Sequence, residues 1–400
     1  MNRMSPVGWS AAAALSIMVT SAEAGNAPGV TQTEIKIGQT VSYSGIAAPV
    51  AGPLGRSERA YFRMINDEGG INGRKIVLES LDDGSDPAKT LALTRHLVEQ
   101  DHVAALFSTY GTAQNLAIRD YANLNGVPDL FIATGDDFVI NPKSHPWTIA
   151  GFPVFRTEAQ IFGRYILINM PNTKVGLLLA RDNMGDAYRL GLRQGLARHF
   201  DERVVKQVDV AADATQIDLE WQALRQSGAQ AVVVAAPAVI VAGAIAKAHD
   251  GDWHPQLFIN YASASSTVLG IAGFRKAMGV ITANAYVDPT SPSWGDAAKP
   301  FDHFAAKYLP KAGKADFGYL VAGYVSGQAM VQVLKQCGND LSRDNILQQA
   351  TNLRHFHPVG LIHGISYFTS PSKYLPIVEA ALQRFDGRHW IQIGDIMAGF

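Results

Sequence analysis

The chain has 400 residues, of which 47% are hydrophobic and 17% charged, and its formal net charge at pH 7 is −1. These proportions are typical of a globular protein with a large core, and a chain of this length usually forms two domains. A near-neutral charge without a run of Lys or Arg argues against a nucleic-acid partner. Cys337 is the only cysteine, so no intramolecular disulfide forms.

The first 24 residues have the pattern of an export signal. Arg3 supplies a positive charge, residues 11–19 are apolar, and Ala22-Glu23-Ala24 fits the small-x-small cleavage pattern. A buried N-terminal helix is the alternative. The apolar run is too short to span a bilayer, and no later segment is long and apolar enough to do so. We therefore expect a signal peptide at 1–24, a periplasmic location and no membrane insertion.

Predicted strands and helices alternate along most of the chain. The first set has strands at 35–41, 76–81, 103–107 and 130–133, and helices at 53–67, 87–100 and 112–123. The second set has strands at 175–180, 204–208, 231–235, 257–259 and 279–282, and helices at 185–199, 215–227 and 238–248. Helices at 300–308 and 319–337 and short C-terminal strands follow. This order predicts an α/β fold of two parallel sheets, and ligands bind at the carboxyl ends of strands in such sheets.

Three polar turns containing glycine follow predicted strands of the first set. They are Ser42-Tyr43-Ser44-Gly45, Ser108-Thr109-Tyr110-Gly111-Thr112 and Ala133-Thr134-Gly135. The second turn opens a helix, where free backbone N–H groups and the helix dipole favour an anion such as a carboxylate. Plain helix capping by Thr112 is the alternative.

Signals for metal binding and catalysis are weak. Asp82 to Asp86 lack the spacing of an EF-hand, and capping of a helix by Asp86 explains them more simply. His355, His357 and His363 lack a zinc-binding pattern. The nucleophile, phosphate-loop and dinucleotide motifs are all missing. We therefore expect no metal, no cofactor and no enzymatic activity.

Several segments together resemble a known family. They are Ile35-Lys36-Ile37-Gly38, the glycine-rich turn at 65–75, Leu81-Asp82-Asp83 with Asp86-Pro87, Asn125-Gly126-Val127-Pro128 and Phe155-Arg156-Thr157. The chain resembles periplasmic solute-binding proteins of the branched-chain amino-acid (Leu/Ile/Val) type, which serve ABC importers. The resemblance implies a type I periplasmic binding protein, in which two Rossmann-like lobes joined by three crossovers enclose a small molecule.

On that pattern the first lobe holds residues 31–150 plus 283–358, and the second holds 151–282 plus 359–400. The resemblance also implies a monomer that delivers its ligand to ABC permease subunits; a sensor for a signalling partner is the alternative. The implied ligand-binding residues are Tyr43, Ser44, Ser108, Tyr110, Gly111, Thr112, Thr134 and Gly135 in the first lobe, and Asn183, Met184 and Ala236 in the second.

Two positions depart from an amino-acid binder. No Asp or Glu stands between Gln230 and Lys247, near the family's partner for the ligand ammonium, and Val50 lies where an aromatic residue is frequent. Burying an unpaired ammonium is costly. A hydrophobic or aromatic carboxylate, or a neutral amide, therefore fits at least as well as an amino acid. Asp136 or Asp137 is a candidate for the missing charge.

Overall fold

The computed structural model describes residues 27–211, 214–313, 317–354 and 356–399. The expected signal peptide at 1–24 lies outside the described residues. Among the helices that are described, none has the length and apolarity needed to cross a bilayer.

The described residues form two sheets surrounded by helices. The strands are β1 (Glu34–Val41), β2 (Lys75–Asp82), β3 (Ala105–Phe107), β4 (Asp129–Ile132), β5 (Thr148–Ala150), β6 (Val175–Ala180), β7 (Val204–Val210), β8 (Ala231–Ala235), β9 (Gln256–Ile259), β10 (Ile281–Asn284), β11 (Glu379–Phe385) and β12 (Trp390–Ala398). The helices are α1 (Ala48–Asp67), α2 (Pro87–Glu99), α3 (Thr112–Leu124), α4 (Phe155–Asn169), α5 (Asn183–Leu196), α6 (Phe200–Arg203), α7 (Asp218–Gln226), α8 (Ala238–Asp250), α9 (Ser266–Ala272), α10 (Lys299–Tyr308), α11 (Phe317–Cys337) and α12 (Arg343–Ala350).

The first sheet has the strand order β2-β1-β3-β4-β5, and all its pairs are parallel. One face packs against α1 and α11 in a large apolar core that contains Phe62, Phe107 and Tyr324. The other face packs against α2 and α3 through Leu97 and Ile118. This doubly covered parallel sheet explains the continuous apolar runs of its strands.

The second sheet has the order β12-β11-β10-β9-β8-β6-β7. It is parallel from β10 to β7, and β11 and β12 add an antiparallel edge. Helices α4 and α5 cover one face, while α7, α8 and α9 cover the other. Helices α4 and α5 approach closely because Gly163, Gly191 and Gly195 face the neighbouring helix; a Cβ at Gly195 would clash with the Gln160 carbonyl.

The chain passes between the sheets three times: after β5, after β10 and just before β11. This confirms the predicted α/β fold of two lobes joined by three crossovers. Residues 361–377, which the sequence assigned to the second lobe, contribute Leu361, Tyr367 and Ile377 to the core of the first. The division of the chain into lobes otherwise stays a prediction.

The elements agree with the sequence wherever local signals are strong. Asp86 caps α2 by accepting from the backbone N–H groups of Ala88 and Lys89. Helix α1, however, begins at Ala48, five positions before the predicted start. Helix α4 was not predicted at all, because its buried face mixes polar Thr157, Glu158 and Gln160 with apolar residues and so lacks a clear apolar stripe.

Candidate ligand-binding site

A cavity of about 220 Å³ lies between the lobes, beyond the carboxyl ends of β3, β4 and β9. The turns after β3 and β4, helices α1 and α11, the crossovers and the turn after β9 form its wall. The lining residues are Val50, Leu54, Tyr110, Gly111, Thr112, Ala133, Thr134, Gly135, Phe152, Phe155, Tyr261, Ala262, Ala264, Ser265, Asn284, Tyr286, Gly318, Tyr319 and Ala322.

The turn after β3 presents the start of α3 to the cavity. Gly111 is the N-cap residue with φ 103°, a conformation that only glycine adopts without strain. The Asn115 side chain folds back and donates to the carbonyls of Thr109 at 2.8 Å and Gly111 at 2.7 Å. Because the first N–H groups of a helix lack acceptors within it, Thr112 and the two residues after it offer free donors here.

Thr112 and Thr134 join the turns that follow β3 and β4. Their hydroxyl oxygens lie 2.7 Å apart, and the Thr134 hydroxyl also accepts from the backbone N–H of Asp136 at 3.1 Å. Thr112 does not cap α3 through its side chain. The simple capping explanation for Thr112 is therefore wrong, and both hydroxyls are positioned at the cavity wall.

Ser108 lies behind this wall rather than in it. Its side chain is fully buried, its φ is 52°, and its hydroxyl lies beside the buried Glu58 carboxyl group. A left-handed non-glycine residue is strained, and such strain concentrates at ligand sites. Ser108 is therefore not among the lining residues, whereas Tyr110 and Gly111 are, and its contact with ligand stays a prediction.

Six aromatic rings form most of the remaining wall: Tyr110, Phe152, Phe155, Tyr261, Tyr286 and Tyr319. Burial raises the pKa of Tyr110 to about 12 and that of Tyr286 well above its ordinary value. The hydroxyls therefore stay neutral at physiological pH. The Tyr286 hydroxyl is buried and has no protein partner.

Two contacts join the lobes beside the cavity. The Tyr319 hydroxyl on α11 donates to the carbonyl of Ala262, beyond β9, at 2.6 Å. At the first crossover, the Phe155 backbone N–H donates to the Gly135 carbonyl at 2.7 Å. A Cβ at Gly135 would overlap the Phe155 ring, so the close approach of the two requires glycine.

The lining, among the described residues, contains no Asp, Glu, Lys, Arg or His. Asp137 forms an ion pair with Arg156, and Asp136 caps a short 3-10 turn through the Phe138 N–H. Burial raises the pKa of both carboxyl groups. Neither aspartate lines the cavity, so neither supplies the missing counter-charge for an ammonium at the wall.

Five other predicted ligand residues also lie away from the cavity. The Tyr43 hydroxyl bonds to Ser80 at 2.8 Å, and Ser44 donates to Asp82 at 2.6 Å. Both side chains turn towards β2 because α1 starts early and fills the cavity side with Val50 and Leu54.

In the second lobe, Asn183 is exposed at the start of α5 and Met184 packs against the core. Ala236 is buried in the opposite core, and its carbonyl accepts from Asn260 at 3.2 Å. The second lobe instead reaches the cavity through Tyr261, Ala262, Ala264 and Ser265. The signal for these residues was available, since they follow β9 as polar and small residues after a buried strand.

Glu158 supports Tyr261 from behind. This side chain on α4 is 2% exposed and accepts from the Tyr188 hydroxyl, from the Tyr261 N–H at 3.2 Å, and from Thr282 and Ala283 at 3.3 Å each. Burial raises the pKa of Glu158 from 4.5 to about 8, although these donors favour the carboxylate. The Glu158 carboxyl group thus links α4, the turn after β9 and strand β10.

The raised pKa of Glu158 predicts a stability that falls with rising pH. Between about pH 4.5 and 8 the unfolded chain has already lost this proton while the folded chain keeps it, so the free energy of unfolding decreases across that window. Glu158→Gln removes the titration. As pH rises from about 5 to 8, the melting temperature of the wild type should therefore fall relative to that of Glu158→Gln. A difference in melting temperature that is independent of pH would contradict this.

No group of three or more His, Cys, Asp or Glu suited to a metal ion occurs in the described ranges. Asp82 and Asp83 bind Ser44 and Ser42 and stabilise the turn before α2. His355, one of the three histidines considered for zinc, lies outside the described residues.

Comparison with known proteins agrees with this geometry. Residues 34–372 match the periplasmic binding protein family. This chain is a member of that family. It is 25% identical over 210 residues to Leu/Ile/Val-binding protein homolog 3 of Brucella melitensis, covering 47% of this chain and 52% of that protein. It thus spans about half the length of the curated relatives that it matches.

Solved structures share the fold of this periplasmic binding protein. A branched-chain amino-acid ABC transporter protein of Thermus thermophilus with bound valine superposes with a TM-score of 0.81 at 15% identity, covering 92% of this chain and 98% of that one. A solute-binding protein of Rhodopseudomonas palustris in complex with 3,4-dihydroxybenzoic acid gives 0.75 at 19% identity with the same coverage. The fold is therefore that of a type I periplasmic binding protein.

Proposed function

We propose that this protein is a periplasmic solute-binding protein that binds a small apolar or aromatic carboxylate between its lobes and delivers it to the permease of an ABC importer. The observation that carries the proposal is the cavity itself, which combines the open start of α3 with a wall of aromatic rings and no charged side chain. It acts as a monomer without a cofactor, and its family membership supports the transport role.

The start of α3 is the place for the carboxylate. The hydrogen-bonded hydroxyls of Thr112 and Thr134 keep one free O–H between them, and with the N–H groups that begin at Thr112 they place neutral donors on one side of the cavity. Hydrogen bonds from a helix N-terminus stabilise an anion without a cationic side chain. A carboxylate is the anion whose size and valence suit a pocket with so little positive charge.

The opposite side of the cavity disfavours an α-amino acid. The ammonium group of an α-amino acid would contact Phe152, Tyr261 and Tyr286 but no carboxylate. Structural relatives with the same fold are described with valine in one case and a dihydroxybenzoic acid in another, so the fold alone leaves the ligand class open. The uncharged aromatic wall favours the second kind of ligand, because ring faces and hydroxyls satisfy an aromatic acid.

The same lining supports binding rather than catalysis. Its polar side chains are hydroxyls and one amide, from Tyr, Thr, Ser and Asn. A hydrolase needs a nucleophile with a general base within hydrogen-bond reach. The Ser265 hydroxyl caps α9 through the Val268 N–H at 3.3 Å and has no such base beside it in the wall.

A thermal-shift panel with confirmation by calorimetry tests the ligand class. We expect aromatic and medium-chain carboxylates to raise the melting temperature and valine, leucine and isoleucine to leave it unchanged. A ligand at 100 times its Kd adds about 2.7 kcal/mol to the free energy of unfolding. Stabilisation by the amino acids but not by the acids would overturn the proposal for the ligand.

Thr112→Ala tests the carboxylate position. Losing one hydroxyl donor should weaken binding of a carboxylate by about tenfold and leave the matched primary amide less affected, because charged acceptors gain more from each hydrogen bond. Thr215→Ala, at an exposed position outside the wall, is the control. An equal affinity of wild type and Thr112→Ala for the carboxylate would remove Thr112 from the site.

A further inference from the structure

A buried carboxyl group lies behind the wall of the ligand cavity in the first lobe. Glu58 on α1 is fully buried, and it follows Leu54, which lines the cavity, by four residues. Side chains four residues apart share one face of a helix and lie about 6 Å apart along its axis. A group that can become negatively charged is therefore close to the proposed site for an anion.

A strand and a second helix of the first lobe enclose Glu58. On β1, the Gln39 side chain donates from Nε2 to the Glu58 carboxyl group, and its own oxygen accepts from the Ser80 hydroxyl at 2.7 Å. On α11, a Cβ added at Gly323 would lie 3.3 Å from the Glu58 Cγ. Gly323 directly follows Ala322, which lines the cavity. The carboxyl group thus lies between two helices that both contribute to the cavity wall.

The turn that leads into α3 is a further neighbour of Glu58. The Ser108 hydroxyl lies beside the Glu58 carboxyl group and favours its ionised form. Ser108 has a φ of 52°, and Tyr110, Gly111 and Thr112, which follow it, line the cavity. A left-handed conformation at a residue other than glycine persists only where its surroundings hold it. Glu58 is one of the groups around Ser108 and so helps to hold the turn that presents the start of α3.

The surroundings of Glu58 favour the neutral acid. Burial raises the pKa of Glu58 to about 8 against the opposite effect of Ser108 and Gln39, and both of these neighbours are uncharged. On the crossover after β10, Tyr286 is a titratable group that the Glu58 charge affects. Burial is the main cause that raises the pKa of Tyr286, and the Glu58 charge raises it further. Both groups are therefore neutral at pH 7, and a negative charge appears behind the wall above about pH 8.

We propose that Glu58 is a positioning residue of the ligand site and that its ionisation weakens the binding of a carboxylate. As a neutral acid it helps to hold the Ser108 turn behind the start of α3, and as a carboxylate it repels the negative charge of the ligand. Two like charges separated by one wall in a poorly hydrated interior change affinity by about tenfold. By reciprocity, the bound ligand favours the neutral acid. The inference rests on the proposed function and adds to it an affinity that decreases at alkaline pH.

Calorimetry at two pH values, about 6.5 and about 9.5, tests this on either side of the Glu58 titration. The probes are benzoate, phenylacetate, 3-phenylpropanoate and octanoate, each paired with its primary amide. The acids are ionised at both pH values, so a change in affinity comes from the protein. For the acid that binds best, the wild-type affinity should be about tenfold lower at the higher pH, and the affinity for the matched amide should be the same at both. Equal affinity for the acid at both pH values, or an equal decrease for the amide, would overturn this inference and leave the carboxylate proposal standing.

Variants assign the effect to Glu58. Glu58→Gln keeps the shape of the side chain without its titration, so its affinity for the acid should not decrease between the two pH values. Glu158→Gln removes the buried carboxyl group behind Tyr261, whose pKa is also raised to about 8, and should retain the decrease. Ser108→Ala removes a neighbour that favours the ionised form of Glu58, so the decrease should move to higher pH. Ser108→Ala answers the question even where Glu58→Gln does not fold.

Three results with the variants would overturn the inference. They are a decrease that persists in folded Glu58→Gln, a decrease that is lost in Glu158→Gln, and a decrease at an unchanged pH in Ser108→Ala. A wild type that binds none of the acids at either pH would overturn both this inference and the proposed function.

Discussion

Gly318→Leu should reduce ligand affinity by at least about a hundredfold while the fold is retained. Gly318 lines the cavity in the first turn of α11, and a Cβ placed there meets no atom within 4 Å. Leucine is a good helix former, so the backbone tolerates the change. Its four additional carbon atoms then occupy part of a cavity of only about 220 Å³, so this space is lost to the ligand.

The control for this variant is Gly243→Leu. Gly243 is also helical, on α8, and lies outside the cavity wall, and a Cβ added there likewise meets no atom within 4 Å. Calorimetry should show wild-type affinity for Gly243→Leu, and circular dichroism should show both variants folded. Wild-type affinity in Gly318→Leu would mean that the ligand binds elsewhere, and the proposed site would be wrong.

Gly195→Ala should destabilise the protein by about 2–3 kcal/mol, although replacing glycine by alanine in a helix normally stabilises it. The reason is the contact between α4 and α5, where a Cβ at position 195 overlaps the Gln160 carbonyl and crowds the Gln160 Cα at 2.9 Å. The obstacle is backbone, which moves only if the helices separate. Such a separation also shifts Phe155 and Glu158 on α4.

Gly243→Ala is the matched change at an unobstructed helical position, and it should stabilise by about 0.5–1 kcal/mol. Thermal and denaturant unfolding of both variants measure the opposite signs directly; for a protein of this size, each kcal/mol corresponds to roughly 2–4 °C in melting temperature. Equal effects at the two positions would refute the close packing of α4 on α5.

The sequence was most informative where structure is decided locally. Asp86 with Pro87 and the apolar run after it predict the start of α2, and the glycine and hydroxyl residues at 108–112 predict the start of α3. The start of α2 follows from capping by Asp86 and the start of α3 from the positive φ of Gly111, and both involve only neighbours in the chain. The order of strands and helices predicted the two sheets for the same reason.

The sequence was least informative where several distant segments meet. Tyr43 follows β1 at the edge of the sheet where the cavity lies. Helix α1 starts early, however, so Val50 lines the cavity in place of Tyr43. In the second lobe, the predicted residues follow β6 and β8, while the cavity lies beyond β9, which is nearer to the crossovers. Which residues line the cavity depends on how the two lobes face each other, and a local sequence pattern carries no information about that arrangement.

The bond between Tyr319 and Ala262 has a consequence for how this protein can change its ligand during evolution. The acceptor is a main-chain carbonyl, which every amino acid carries, whereas the side chain of the same residue forms part of the cavity wall. Substitutions at position 262 can therefore reshape the space for the ligand and keep the contact between the lobes. Selection for a new solute is in this way separated from selection for the contact between the lobes.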